Sequence, residues 1–289
     1  MNENERAAFL RYLRTGKAEK RAMAENGLVI SQDMGGNIMA RINQQWPLAR
    51  LSSYEAIDRQ KAVIPIAESE AGCNWILEKG AYTQYDPGFK GKEFFPSKIG
   101  GMASVSEELL EDSFYDVEAF LVESFARSLG LALETAFISG DGNGKPAGIL
   151  QDADAVPLSG AELSSQDFKA LFDALPIELL NSSSWLLSRE AFSSLLRMSD
   201  SEAGKIYSTD ASGGSIGQIF GRPAFITLLP PEKPVIFGDL SFYQIIDHGP
   251  GVLTRYDEIS ADHGMVSFRL MKRVDAKLLK NDAVKALEA

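Results

Sequence analysis

The densest group of residues capable of chemistry is Gly140-Asp141-Gly142-Asn143-Gly144-Lys145-Pro146-Ala147-Gly148. Glycines ahead of a lysine could cradle a phosphate in backbone N–H groups, and Asp141 with Asn143 could offer oxygens to a cation. The spacing fits neither use. A phosphate loop keeps four residues between its first glycine and Gly-Lys, then continues with Ser or Thr into a helix; here three intervene and Pro146 follows. No trailing acidic ligand completes a calcium loop. What these residues do specify is a turn. Gly140 to Gly144 all tolerate positive φ, at least one of Gly142 and Gly144 is expected to need it, and Pro146 forbids helix continuation.

Other reactive groups are sparse. Cys73 stands alone beside Trp75, which rules out an intrachain disulfide or a multi-cysteine zinc site and reads as a small buried hydrophobe. His248 and His263 are the only histidines, both beside glycines, and read as solvated turn positions. Glu107, Glu108, Glu111 and Asp112 could suggest paired acid–base work, but clustered at a helix start they complement the helix dipole. Arg11, Arg14, Lys17, Lys20 and Arg21 read with equal weight as a solvated helix face or as a contact to nucleic acid or an acidic surface. No catalytic, cofactor or metal residue is assigned.

Composition points the same way. The 289 residues, 45% hydrophobic and 24% charged, can bury one large core or two smaller ones. A net charge of −11 disfavours a protein that grips nucleic acid by neutralising phosphates, though not one that surrounds it. No apolar run reaches the ~18 residues of a membrane span, and the polar, acidic start is no secretory signal.

The elements that must position these residues follow from periodicity. A charged, weakly amphipathic helix is expected over Glu5 to Glu25, then a coreless extended arm from Asn26 to Arg41 that is ordered against neighbours, then a docking segment at Trp46-Pro47. Strands are expected at Ala62 to Ala67, with Pro65 suiting an edge, at Cys73 to Leu77, and at Glu93 to Phe95. Between them lies a polar tip, so the stretch reads as a long hairpin without its own core. Ser104 to Glu107 has capping-box spacing. From Asp116 to Ile138 the stripe Val117, Phe120, Leu121, Phe125, Leu129, Ala132, Leu133, Ala136 and Phe137 specifies a helix roughly 33 Å long. Beyond the turn, Ser164-Ser165 and Ser188 cap helices, Ser208 to Gly217 is a Ser/Gly-rich loop, and strands are expected at Trp185 to Leu187, Phe225 to Thr227, Val235 to Phe237, Tyr243 to Ile246 and Met265 to Leu270. The class is α+β.

Six segments, in order, resemble the major capsid proteins of tailed phages of the Hong Kong 97 type. They are Ala8 to Gly16, Val105 to Ser113, the Gly-Asp-Gly-Asn-Gly-Lys-Pro turn, Trp185 to Phe192, Gly221-Arg222-Pro223-Ala224-Phe225, and Phe237-Gly238-Asp239-Leu240 with Tyr243. The resemblance implies residues 1–61 as N-terminal helix and arm and 62–105 as extended loop hairpin. It further implies 106–158 with 248–289 as a peripheral domain around a spine helix, and 159–247 as an axial domain. It carries assembly roles onto Phe9, Tyr12, Arg14 and Trp46 of the arm and onto Trp75, Lys79, Lys90 and Lys92 of the loop.

By the same resemblance the chain is expected to be no enzyme, to bind no cofactor, and to assemble with itself as pentamers and hexamers of an icosahedral shell. That shell would enclose double-stranded DNA without reading its sequence, be built in a bacterial host's cytoplasm, and add scaffold, portal and decoration proteins as partners. Two departures bear on this. Met1 lies almost at the arm, leaving the scaffolding segment of many relatives absent, separate or removed. The loop lysines lack the context of the cross-linking lysine of some relatives, and no asparagine occurs between Asn181 and Asn281, so no autocatalytic cross-link is expected. An encapsulin-like compartment or gene-transfer-agent shell is the alternative within the fold. A cytosolic enzyme holding a phosphate or nucleotide in the Gly140 to Lys145 turn is the alternative outside it.

Overall fold

The computed structural model describes residues 23–24, 27–29, 46–67, 72–76, 78, 81–82, 84–86, 88–112, 117–160, 163–198, 206–210, 214–249 and 251–288. Among these residues two seven-stranded sheets and one two-stranded hairpin carry the architecture.

The first sheet is organised by β15 (Met265–Leu278). Antiparallel to it run β6 (Ser97–Ser106) along Met265 to Val274, β14 (Val252–Ser260), and β13 (Tyr243–His248) along Val274 to Leu278. β3 (Ser53–Ile57) lies parallel to β13, and β2 (Gly27–Val29), joined to β1 (Met23–Ala24), pairs with β14. Even-numbered residues of β15 from Val266 to Ala276 are all buried, which defines one core-facing side. Against that core packs the long helix α3 (Val117–Ser139), through Ala126, Leu129, Leu133, Phe137 and Ile138.

Three expectations change here. The stripe expected for α3 includes Phe120 and Ala132, which are exposed, while Ala126 and Ile138 are buried. Helical periodicity gives a face, but the sheet's position decides which edge of that face is covered. Ser104 does not cap a helix: its Oγ lies 2.8 Å from Ser267 Oγ within the sheet, and Ser106 Oγ instead accepts the Leu109 amide at the start of α2 (Glu107–Asp112). The arm is not wholly dependent on neighbours either. Leu28 and Val29 pair with Leu253 and Val252 of the same chain, and Met23–Ala24 is strand rather than the end of a helix.

The second sheet runs in the order β7 (Asp154–Pro157), β16 (Val284–Glu288), β12 (Val235–Gly238), β8 (Ser184–Leu187), β11 (Arg222–Ile226), β10 (Gly217–Ile219), β9 (Tyr207–Ser208). Its core stacks Trp185 on Phe237, with centroids 4.0 Å apart, and Trp185 Nε1 donates to the Ile219 carbonyl at 3.0 Å, so the indole is buried without an orphaned donor. Around it close α4 (Ser165–Ala174) and α5 (Arg189–Arg197), capped as expected by Ser164 and Ser188. Ile219 pairs with Arg222 across a two-residue loop in which Phe220 and Gly221 both have positive φ, the primed geometry tight hairpins favour. β13 lies in the first sheet and β16 in the second.

The hairpin pairs β4 (Ala62–Ala67) with β5 (Phe89–Phe94), Pro65 facing Gly91, as a two-stranded sheet in which each strand keeps an open edge that tolerates proline. Residues 72–76 between them are not strand, correcting the strand expected at Cys73 to Leu77, of which Leu77 lies outside the described residues. Apolar residues there have no facing layer to bury them.

Candidate functional site

α3 ends where the glycines begin. The Gly140 amide still donates to the Ala136 carbonyl at 2.8 Å, and a side chain at Gly140 would meet the carbonyl oxygen of Pro146 at 2.1 Å. Gly142 and Gly144 take φ of +72° and +69°, as the turn chemistry requires. Asp141 Oδ1 accepts the Asn143 amide at 3.0 Å, and Lys145 Nζ sits 3.5 Å from its other oxygen. That amide first, and the lysine charge behind it, hold the Asp141 carboxyl below its ordinary value. The turn then locks onto the first sheet. Gly148 N donates to Gly140 O, Ala147 N to Ala276 O, and Tyr243 Oη to Ala147 O, before Ile149 and Leu150 enter the core. The Gly140, Asn143, Ala147 and Gly148 amides are thus taken up within the chain, and Lys145 faces the Asp141 carboxylate.

Glu134, on the buried side of α3, was not singled out from sequence. Its Oε1 accepts the Leu48 amide at 3.2 Å and Thr227 Oγ1 at 2.7 Å, and burial pushes the carboxyl above its ordinary value against those hydrogen bonds. It thereby caps α1 (Pro47–Leu51), a short helix begun by Pro47 directly after the extended Trp46. Trp46 is half-buried against the core, and Arg50 of the same helix lies 4.7 Å over the Phe225 ring. The segment that ends the arm is thus bolted to the long helix and to the second sheet. Only a buried acid within a strongly apolar stripe, visible as Glu134 beside Leu133, could have signalled it.

The hairpin root is equally fixed. Phe94 is fully buried, Phe95 N donates to Asp275 Oδ2 at 2.7 Å, and Lys92 donates to Asp152 at 3.2 Å and to the Leu278 carbonyl. Lys92 therefore braces the hairpin against the body of its own chain. Toward the tip the apolar side chains lie bare. Trp75 is fully exposed, and Tyr82 and Phe89 are 88% and 70% exposed. Lys90 is exposed on β5, and Lys79 lies outside the described residues, as do Phe9, Tyr12 and Arg14 of the arm and the Arg11 to Arg21 cluster.

Cys73 is exposed, which corrects its reading as a buried hydrophobe: residues 72–76 belong to no strand, and the contact beside it is Asn74 donating to Tyr85 Oη at 2.8 Å. His248 lies at the end of β13 opposite Ile57, a strand position rather than a loop, while His263 is exposed beside Asp262. Among the described residues no group of His, Cys, Asp and Glu could hold a metal, and no helix is long and apolar enough to cross a membrane.

No curated protein matches the chain in sequence. Solved structures do match in fold. The capsid of the native GTA (gene-transfer-agent) particle superposes with a TM-score of 0.69 at 20% identity, covering 93% of this chain and 95% of that one. A chain of Microbacterium phage Oxtober96 gives 0.66 at 12% identity over 94% and 95%, and one of Mycobacterium phage Cain gives 0.63 at 12% over 98% and 97%. These likenesses establish the fold, which is the α+β fold of the Hong Kong 97 type that the resemblance implied. A profile of the phage capsid family matches residues 26–289. With the turn serving the fold and the unsatisfied surface lying on the hairpin, the chain belongs to the phage capsid family and is a structural capsid protein rather than an enzyme.

Proposed function

We propose that this chain is the major head protein of a tailed double-stranded DNA phage or prophage, closing with itself into an icosahedral shell of pentamers and hexamers. The observation that carries this reading is the hairpin. Trp75, Tyr82 and Phe89 are large apolar side chains on a two-stranded element that buries only its root, and such an element is marginal in water unless another surface covers it. Neighbouring subunits supply that surface in a closed shell.

In this reading residues 1–61 form the arm, 62–105 the extended loop, 106–158 with 248–289 the peripheral domain and 159–247 the axial domain, with β13 and β16 lacing the last two together. Assembly takes place in the bacterial host's cytoplasm, with scaffold, portal and decoration proteins as further partners. DNA is enclosed without sequence-specific contacts, consistent with a net charge of −11. A gene-transfer-agent shell is the second reading, favoured by the match to the native GTA capsid. Size-exclusion light scattering with negative-stain electron microscopy tests both, since shells, pentamers or hexamers are expected. A monomer under every condition, including co-expression with a scaffold, would overturn them. The size of the nucleic acid inside isolated particles separates phage genome from transferred host fragments.

A further inference from the structure

The side of the first sheet turned away from α3 carries an unsatisfied charge pattern. Lys98 on β6 stands directly opposite Arg273 on β15, and Arg269 is exposed four pairs further along, opposite Met102, with its guanidinium 5.0 Å over the Tyr256 ring. Like charges directly opposite each other on a sheet destabilise it. The hairpin root engages this face at Asp275 and Lys277, while Lys98 is exposed and Arg273 half-buried. At the other end of the same two strands, roughly 30 Å away at ~3.4 Å per residue, α2 begins with exposed Glu107 and Glu108, and Glu258 is exposed nearby on β14. Among the described residues no ion pair engages Lys98, Arg273, Glu107, Glu108 or Glu258.

We propose that the exposed sheet face around Lys98 and Arg273 is the docking surface for the acidic α2 end of a second copy of this chain. Charge complementarity selects that occupant. Glu107–Asp112 holds four carboxylates and no cation, whereas residues 1–25 of the chain's own N-terminus carry six basic and four acidic side chains and do not complement a basic face. Nucleic acid fits less well: three cations make a small footprint, and the carboxylates at the far end of the ribbon repel phosphate. A ribbon with a basic and an acidic end joins head to tail, the heterologous contact that generates rings.

The inference rests on the shell reading, and its test separates the two. K98E/R273E and E107K/E108K are each expected to lower the assembled fraction at least ~10-fold, by setting like charges against each other, while the monomer's thermal unfolding is unchanged. The fourfold swap is expected to recover assembly, and parental assembly to weaken between 50 and 500 mM salt more than that of K98Q/R273Q. Single swaps that assemble like the parent, or a fourfold swap that stays unassembled, would overturn the contact. So would intact shells that lose only their DNA, which would give the face to nucleic acid. A parent that forms no oligomer at all would remove the shell reading and this one together.

Discussion

Glu134 Oε1 lies 2.7 Å from Thr227 Oγ1 and 3.2 Å from the Leu48 amide, so one buried carboxyl on the long helix joins the end of the arm to the strand that leaves the second sheet. Truncating it leaves a buried hydroxyl and a helix N-terminus without their acceptor. Glu134→Ala should cost about 2–4 kcal/mol, read by urea unfolding of the unassembled chain. Because burial raises this carboxyl, the native state holds its proton where the unfolded chain has released it. The associated stability is complete below the ordinary carboxylate value and is lost as pH rises through the raised native one. Glu134→Gln should therefore flatten part of the decline in stability expected as the pH rises above the ordinary carboxylate range. An unchanged slope would show that Glu134 does not titrate in that window.

Lys272 and Asp247 form a second buried contact, 2.8 Å apart with side chains nearly closed to solvent, and Tyr54 donates to the same carboxylate oxygen. Burial, reinforced by the Asp247 charge, pushes the Tyr54 phenol upward, so it stays a donor at any physiological pH. Lys272→Met strands a buried carboxylate and should cost about 3–5 kcal/mol. Adding Asp247→Leu should return more than half of that loss. Equal instability of single and double variants in a double-mutant cycle would mean the pair is not the source.

Gly142 and Gly144 test whether backbone conformation or space governs the turn. Neither would clash with a new Cβ, since nothing lies within 4 Å at Gly144 and only ordinary contacts surround Gly142, yet both have positive φ. Valine at either position should lower the midpoint of thermal unfolding through backbone strain of about 1–3 kcal/mol. Asparagine, which tolerates that region, should cost less. Equal effects of Val and Asn would remove the positive-φ explanation.

The hairpin residues separate folding from assembly. Trp75→Ala with Tyr82→Ala removes side chains that touch little of their own chain, so unfolding of the monomer should move by no more than ~0.5 kcal/mol. Particle yield should fall severalfold. Loss of monomer stability with normal particles would reverse the assignment. Deleting residues 1–41 should likewise abolish stable shells; because that deletion removes β2 from the first sheet, a small loss of body stability should accompany it.

The parts legible in sequence were those set by local chemistry. Five consecutive turn-tolerant residues and a proline must stop a helix, Ser164 and Ser188 must cap one, and a 23-residue apolar periodicity without proline must build one. What escaped depended on partners remote in the chain. β6 contains Gly100 and Gly101 and has weak strand propensity, yet it is a strand because ten residues of β15 pair with it, and Gly100 sits where a Cβ would meet the Leu270 carbonyl at 2.3 Å. β14 and β16 were missed for the same reason. The Glu134 contacts, 86 and 93 residues apart, the Lys272–Asp247 pair, 25 apart, and the opposition of Lys98 to Arg273 arise only when separate segments are brought into register. Local sequence fixes backbone conformation residue by residue, but which side chains share a buried contact or a bare face depends on the register and packing of whole strands, and those are properties of the assembled core.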